Sequence, residues 1–246
     1  MYVTINQLQE SIILCTEIYL EDYMYKAYEW EFNREVSECF DTHVRQSVLS
    51  YDYFHERIAT ISKYFIEDYT IVLDIGTSTG ELISKLPKNE TCRYIGIDTS
   101  LPMIENAKQK LGSSVELRHA NFLTYNINNC SVVTAMLVLQ FIDYKDKQKF
   151  LSKVYESLNT GGALFLVDKI KASNTVTNDI YNDLYYDFKL DQGISPEDVL
   201  AKNQSLRGVQ KTLTLQQNMD LLYSAGFKKI DIFMSHYNFV GIIAIK

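Results

Sequence analysis

From residue 70 onward, short apolar runs alternate with helical patterns, and this rhythm restricts the fold more than any other feature of the chain. The runs span residues 71–75, 94–97, 115–117, 132–136 and 163–167. Helical patterns lie between them at 80–86, 101–111 and 145–158. The second is the best signalled. Thr99 and Ser100 suit its cap, Pro102 its first turn, and Ile104, Ala107 and Leu111 give one apolar face. Strand and helix in alternation require right-handed crossovers and a parallel, doubly wound sheet.

The ends of the chain break this rhythm. Residues 1–65 read as helical and contain neither glycine nor proline. Residues 1–66 are therefore expected to form an N-terminal helical cap, and 67–246 an α/β Rossmann-like domain. The polar stretch at about 170–213 is too long for a simple connection and is expected to be a helical insertion. A helix at 215–224 and two strand-like runs, 229–234 and 239–245, close the chain. The short gap between those runs makes them an antiparallel hairpin. The expected sheet has seven strands, mostly parallel.

Ligands of open α/β sheets bind beyond the carboxyl ends of the strands. There the first run breaks into D-I-G-T-S-T-G, residues 74–80. Gly76 and Gly80 admit backbone angles closed to other residues, and the following helix would aim free N–H groups at a ligand. Asp98 ends the second run as I-G-I-D, where a carboxylate accepts hydrogen bonds from ribose hydroxyls. Asn121 and Phe122 follow the third run, where an amide and an aromatic edge suit adenine. An adenosine moiety is the implied ligand. The spacing is neither the dinucleotide G-x-G-x-x-G nor a Walker loop.

These features resemble the class I S-adenosylmethionine-dependent methyltransferases, as does L-N-T-G-G-A-L-F-L-V at 158–167. Five further segments look like the carboxy-S-adenosylmethionine synthase family: W-E-F-N-R-E-V-S-E-C-F at 30–40, R-Q-S-V-L-S-Y at 45–51, L-Q-F at 139–141, Y-D-F-K at 186–189 and H-Y-N-F at 236–239. This likeness runs from about residue 28 to the C-terminus. It implies that Tyr51 closes over S-adenosyl-L-methionine. Gly76, Thr77 and Ser78 would line the methionine part, Asp98 and Thr99 the ribose, and Asn121 and Phe122 the adenine. Asp74 and Gly80 belong to the same turn. Two positions depart from the family pattern. Met136 stands where the family has a cofactor-contacting asparagine. Asn203 follows Lys202 where the family has an arginine that grips its product's extra carboxylate. An amide cannot replace a guanidinium there. Arg207, four residues on, would share a helical face with 203 and offers a relocated grip.

The expected chemistry is methyl transfer to a small molecule in an enclosed site, with Tyr51, Tyr185 and Tyr186 as an aromatic wall around the sulfonium. The alternatives are an enzyme that remodels S-adenosylmethionine itself, by carboxylation or by internal cyclisation or cleavage, and a non-catalytic binding protein. His43, His55, His119 and His236 are the bases available at neutral pH. Asp168 and Lys169, ending the fifth run, are expected on the ligand side. The formal charge of −7 and the lack of a basic stripe argue against nucleic acid. No apolar run approaches the ~20 residues that span a bilayer. Cys15, Cys39, Cys92 and Cys130 are far apart and show no metal or disulfide pattern. A cytoplasmic enzyme without a metal is expected, acting on a small molecule or on the cofactor alone, and the resemblance suggests a homodimer.

Overall fold

In the computed structural model, which describes residues 32–246, two helices precede the sheet. Helix α1 (Arg34–Ser47) starts at Asn33, whose side chain accepts from the Val36 amide. A tight corner at Ser50, in left-handed conformation with φ 58°, leads into α2 (Tyr51–Ser62). Residues 1–31 of the expected cap lie outside the described residues.

The alternating part follows as β1 (Ile71–Ile75), α3 (Glu81–Lys85), β2 (Arg93–Asp98), α4 (Leu101–Leu111), β3 (Glu116–His119), β4 (Cys130–Met136), a single 3-10 turn at Leu139–Phe141, α5 (Tyr144–Ser157) and β5 (Leu158–Lys169). The stretch at about 170–213 forms two helices, α6 (Thr175–Asp191) and α7 (Pro196–Ser205). Helix α8 (Leu215–Ala225) and the strands β6 (Lys229–His236) and β7 (Phe239–Ile245) complete the chain. The sheet order is β3-β2-β1-β4-β5-β7-β6. The first five strands are parallel, and β7 runs antiparallel to both β5 and β6. Element types match the expectation. The boundaries move most at β5, which extends back over the glycines at 161 and 162.

Alternation along β5 shows how the layers form. Leu164 and Leu166 face one cluster with Phe150, Leu151 and Val154 of α5 and Leu222 of α8. Phe165 and Val167 face the other, with Val44 of α1, Phe54 and Ile58 of α2 and Ile104 of α4. The N-terminal helices therefore share a core with the sheet. Phe54 and Ile58 are fully buried, each stabilising that docking by about 1.5–3 kcal/mol.

Charged side chains tie the same helices to the first β-α turn. Glu81 of α3 pairs with Arg45, Lys85 and Lys110 at 2.7, 2.9 and 3.3 Å, and Lys110 also pairs with Asp41. Burial pushes the Glu81 carboxyl up, but Lys85 and Lys110 prevail and hold it at about 2. Asp52, His55 and Glu81 lie close enough to share a metal ion, yet both carboxylates are engaged by Arg45 and Lys85. Cys92 and Cys130 carry free thiols.

Candidate functional site

A cavity of about 500 Å³ opens where β1, β2 and β4 end. Strand order reverses on either side of β1, so this is the expected crevice of a doubly wound sheet. The turn after β1 forms one wall through Asp74, Gly76, Thr77 and Ser78. Gly76 has φ 68°, and a Cβ there would collide with Val138. Gly80, at φ 79°, sits behind the turn and off the cavity wall, where a Cβ would lie 2.5 Å from Leu111 Cδ1. Its role is packing and turn geometry rather than ligand contact.

Four amides of this turn are spent internally. Gly76 N–H and Thr77 N–H both donate to Ile97 O, at 2.8 and 3.0 Å, and Gly80 N–H donates to Thr77 O at 2.8 Å. Ser78 N–H donates to Asp98 Oδ2 at 2.9 Å. The helix beyond has only five residues. The turn therefore spends the amides of Gly76, Thr77, Ser78 and Gly80 on the protein itself. It presents Asp74 instead. Asp74 Oδ1 accepts from Thr134 Oγ1 at 2.5 Å, while Oδ2 is buried without a partner. Burial raises its pKa to about 6.

The next wall comes from Asp98 and Thr99 after β2, and from Asn121 and Phe122 after β3. Asp98 Oδ1 accepts from Ser100 N–H at 2.8 Å, so each carboxylate oxygen is anchored by one amide and keeps capacity for another donor. Asn121 Oδ1 caps its own turn by accepting from Leu123 N–H at 2.9 Å. Phe122 is buried edge-on to Phe150, 5.2 Å between ring centres. Met136 ends β4 on the cavity wall. Leu137 follows at φ 60°, a left-handed conformation that costs about 1–2 kcal/mol for such a residue.

The remaining wall is helical. Tyr51 of α2 and Tyr185 of α6 line the cavity; Tyr186, Asn203 and Arg207 do not. Asn203 Nδ2 instead donates to Tyr186 Oη. Helix α7 ends at Ser205, so Arg207 lies past the helix, exposed, and shares no helical face with 203. Sequence reasoning did not place two lysines on this wall, Lys189 of α6 and Lys202 of α7; His43 of α1, already named as a base, joins them. The available signal was Tyr185 and Lys189 at i and i+4, which places them on one helical face.

A methyltransferase-domain family model matches residues 72–162. The chain is similar to the carboxy-S-adenosyl-L-methionine synthase of Staphylococcus epidermidis, 39% identical over 226 residues, covering 90% of this chain and 99% of that protein. The chain belongs to the carboxy-S-adenosyl-L-methionine synthase family. It is accordingly an S-adenosylmethionine-dependent enzyme of the class I methyltransferase superfamily. Solved structures agree on the fold. An O-methyltransferase family 2 protein from Planctomyces limnophilus, in complex with apigenin, superposes with TM-score 0.61 at 15% identity, covering 98% of this chain and 67% of that one. Human N-acetylserotonin methyltransferase, in complex with SAM, gives 0.59 at 13%, covering 98% and 69%.

Within this carboxy-S-adenosyl-L-methionine synthase family member, the expected bases divide by position. His119 Nε2 bonds Thr99 O at 2.9 Å, and His236 Nδ1 bonds Ser50 Oγ at 2.7 Å; neither lines the cavity. His43 and His55 do line it. Burial, with Lys202 and Lys189 nearby, lowers the His43 pKa to about 3. Burial lowers that of His55 to about 4. Both are neutral, weak bases at pH 7. Asp168 and Lys169 are not on the cavity wall. They alternate across β5, with Asp168 buried toward Lys147. Burial holds the Asp168 carboxyl above the usual carboxylate range, opposed by Lys147. Nor is the face of Tyr185 clear for a sulfonium, because two lysine ammoniums sit against its ring.

Proposed function

We propose that the cavity seats S-adenosylmethionine and that the enzyme remodels this molecule by installing a carboxyl group on its methyl carbon. Methyl transfer to a separate acceptor is the less favoured reading. The observation that carries the proposal is the division of charge in the cavity. Carboxylates stand at the strand ends, Asp74 and Asp98, and two lysines, Lys189 and Lys202, stand on the insertion helices. The first set suits a cationic adenosine compound, and the second suits an anionic co-substrate.

The residues fit S-adenosylmethionine without forcing. Its adenosine carries no phosphate, which matches a turn that spends the amides of Gly76, Thr77, Ser78 and Gly80 internally. The unpartnered Asp74 Oδ2 suits the ligand's ammonium. The free acceptor capacity of Asp98 suits the ribose hydroxyls, and Phe122 with the amide of Asn121 suits the adenine. S-Adenosylmethionine supplies an activated methyl next to positive sulfur. For carboxyl transfer, the C–CO2 bond of the donor breaks, its electron pair aromatises the donor ring and hydroxide departs; the methyl carbon loses a proton and its electron pair forms the new C–C bond to the released CO2, so that proton and hydroxide leave together as water. The chain orients the methyl from the strand side and holds the carboxylate from the helix side, so positioning supplies most of the rate.

The test is incubation of purified protein with S-adenosylmethionine and prephenate, the carboxyl donor that the family resemblance implies, followed by mass spectrometry. Carboxylated cofactor is the expected product. Intact cofactor with prephenate, together with methylation of a small metabolite, would overturn the proposal in favour of methyl transfer.

A further inference from the structure

Tyr185 carries two ammonium groups against one ring. Lys169 Nζ lies 4.1 Å and Lys189 Nζ 4.4 Å from the ring centre. The ring itself is fixed. Tyr185 Oη donates to Ser47 O of α1 at 2.7 Å, and its edge packs on Phe239 at 5.5 Å. Among the described residues neither ammonium hydrogen-bonds or ion-pairs with a carboxylate. Lys189 is only 4% exposed and lines the cavity, with Lys202 also on the wall. Like charges gathered in a poorly hydrated place oppose one another until an anion joins them.

We infer that Lys189 is the carboxylate grip of this enzyme, and that Lys169 is its positioning residue. The inference rests on the carboxyl-transfer reading above and names the specificity determinant of the same site. Position 203 cannot serve, because the Asn203 amide is turned to Tyr186 and neither residue lines the cavity. Arg207 is exposed beyond the end of α7. Lys189 reaches the cavity from α6, one turn after the ring that holds it. Lysine is a point charge without the planar fork of a guanidinium, so its direction must be imposed from outside. Tyr185 and the field of Lys169 impose it, and Lys169 itself stays off the cavity wall.

The experiment measures kcat and KM for both substrates in the wild-type enzyme, Lys189→Met, Lys189→Arg and Lys169→Met. It also measures prephenate affinity by calorimetry with S-adenosylhomocysteine in place, where no turnover is possible. In Lys189→Met the prephenate KM and Kd should rise roughly tenfold to hundredfold, the loss of one charge-assisted contact, with the KM for S-adenosylmethionine changed less than about twofold. Lys189→Arg should recover most of the affinity, which a merely structural role for position 189 would not allow. Lys169→Met should give a smaller rise confined to prephenate. Wild-type prephenate KM and Kd in Lys189→Met would overturn the grip while leaving carboxyl transfer intact. Tight prephenate binding without product in the wild type would overturn carboxyl transfer while leaving the grip. Neither binding nor product would overturn both.

Discussion

Asp98→Asn separates the structural and binding roles of one carboxylate. Asp98 Oδ2 accepts from Ser78 N–H at 2.9 Å and Oδ1 from Ser100 N–H at 2.8 Å. Asparagine keeps the shape, but in either orientation its NH2 group faces one of those two amides. One hydrogen bond is lost and one N–H is left unpartnered, at a cost of about 1–3 kcal/mol in folding stability. On the cavity side the change is in the acceptor. Hydrogen bonds to a charged group contribute about 1.5–3 kcal/mol and neutral ones about 0.5–1.5. The difference over two ribose hydroxyls is therefore about 2–3 kcal/mol, or roughly 30- to 150-fold in affinity. Urea denaturation measures the first effect, and calorimetric titration of the folded variant with S-adenosylmethionine measures the second. If the variant lost stability but bound the cofactor within about threefold of wild type, Asp98 would be a turn anchor only and the ribose assignment would be refuted.

Two further outcomes follow from the same geometry. Gly80→Ala combines a left-handed backbone at φ 79° with a Cβ placed 2.5 Å from Leu111 Cδ1. About 1–2 kcal/mol from the conformation and 1–3 from overpacking should appear as a lower urea midpoint. A midpoint equal to wild type would contradict the packing described. For pH, burial lowers the Lys169 pKa to about 7, helped by Lys189, and burial lowers that of Lys189 to about 8. An anion beside Lys202, Tyr185 and His43 favours the charged lysines, so prephenate binding should take up protons near neutrality. Affinity should be full below the free-enzyme pKa values and fall as pH rises through about 7 to 9. Calorimetry in buffers of different ionisation enthalpy reads the proton uptake, and an affinity that rises over that range would contradict it.

The strand-helix alternation was legible because each element announces itself locally. Ser100 accepts from the Met103 amide at the head of α4, with Pro102 in the first turn. Thr214 and Gln217 form a capping box on α8, which stops at Gly226. Part of the cavity lining was legible too, since Asp74, Gly76 and Asp98 lie directly at strand ends, and strand ends are where such sheets open their crevice. What failed were inferences needing a length or a direction. Helix α7 ends before Arg207. Asp168 and Lys169 alternate across the pleat, and neither reaches the cavity wall.

By itself, then, the sequence determined the sheet, its order of elements and the acidic rim of the crevice, because periodicity and turn chemistry are encoded within a few neighbouring residues. Only the tertiary structure decided the basic side of the cavity. Lys169 on β5 and Lys189 on α6 are 4.1 and 4.4 Å from the centre of one tyrosine ring, yet they lie on different elements. Bringing them together requires the insertion helices to fold back over the sheet. That juxtaposition depends on packing between distant segments, and no local pattern carries it.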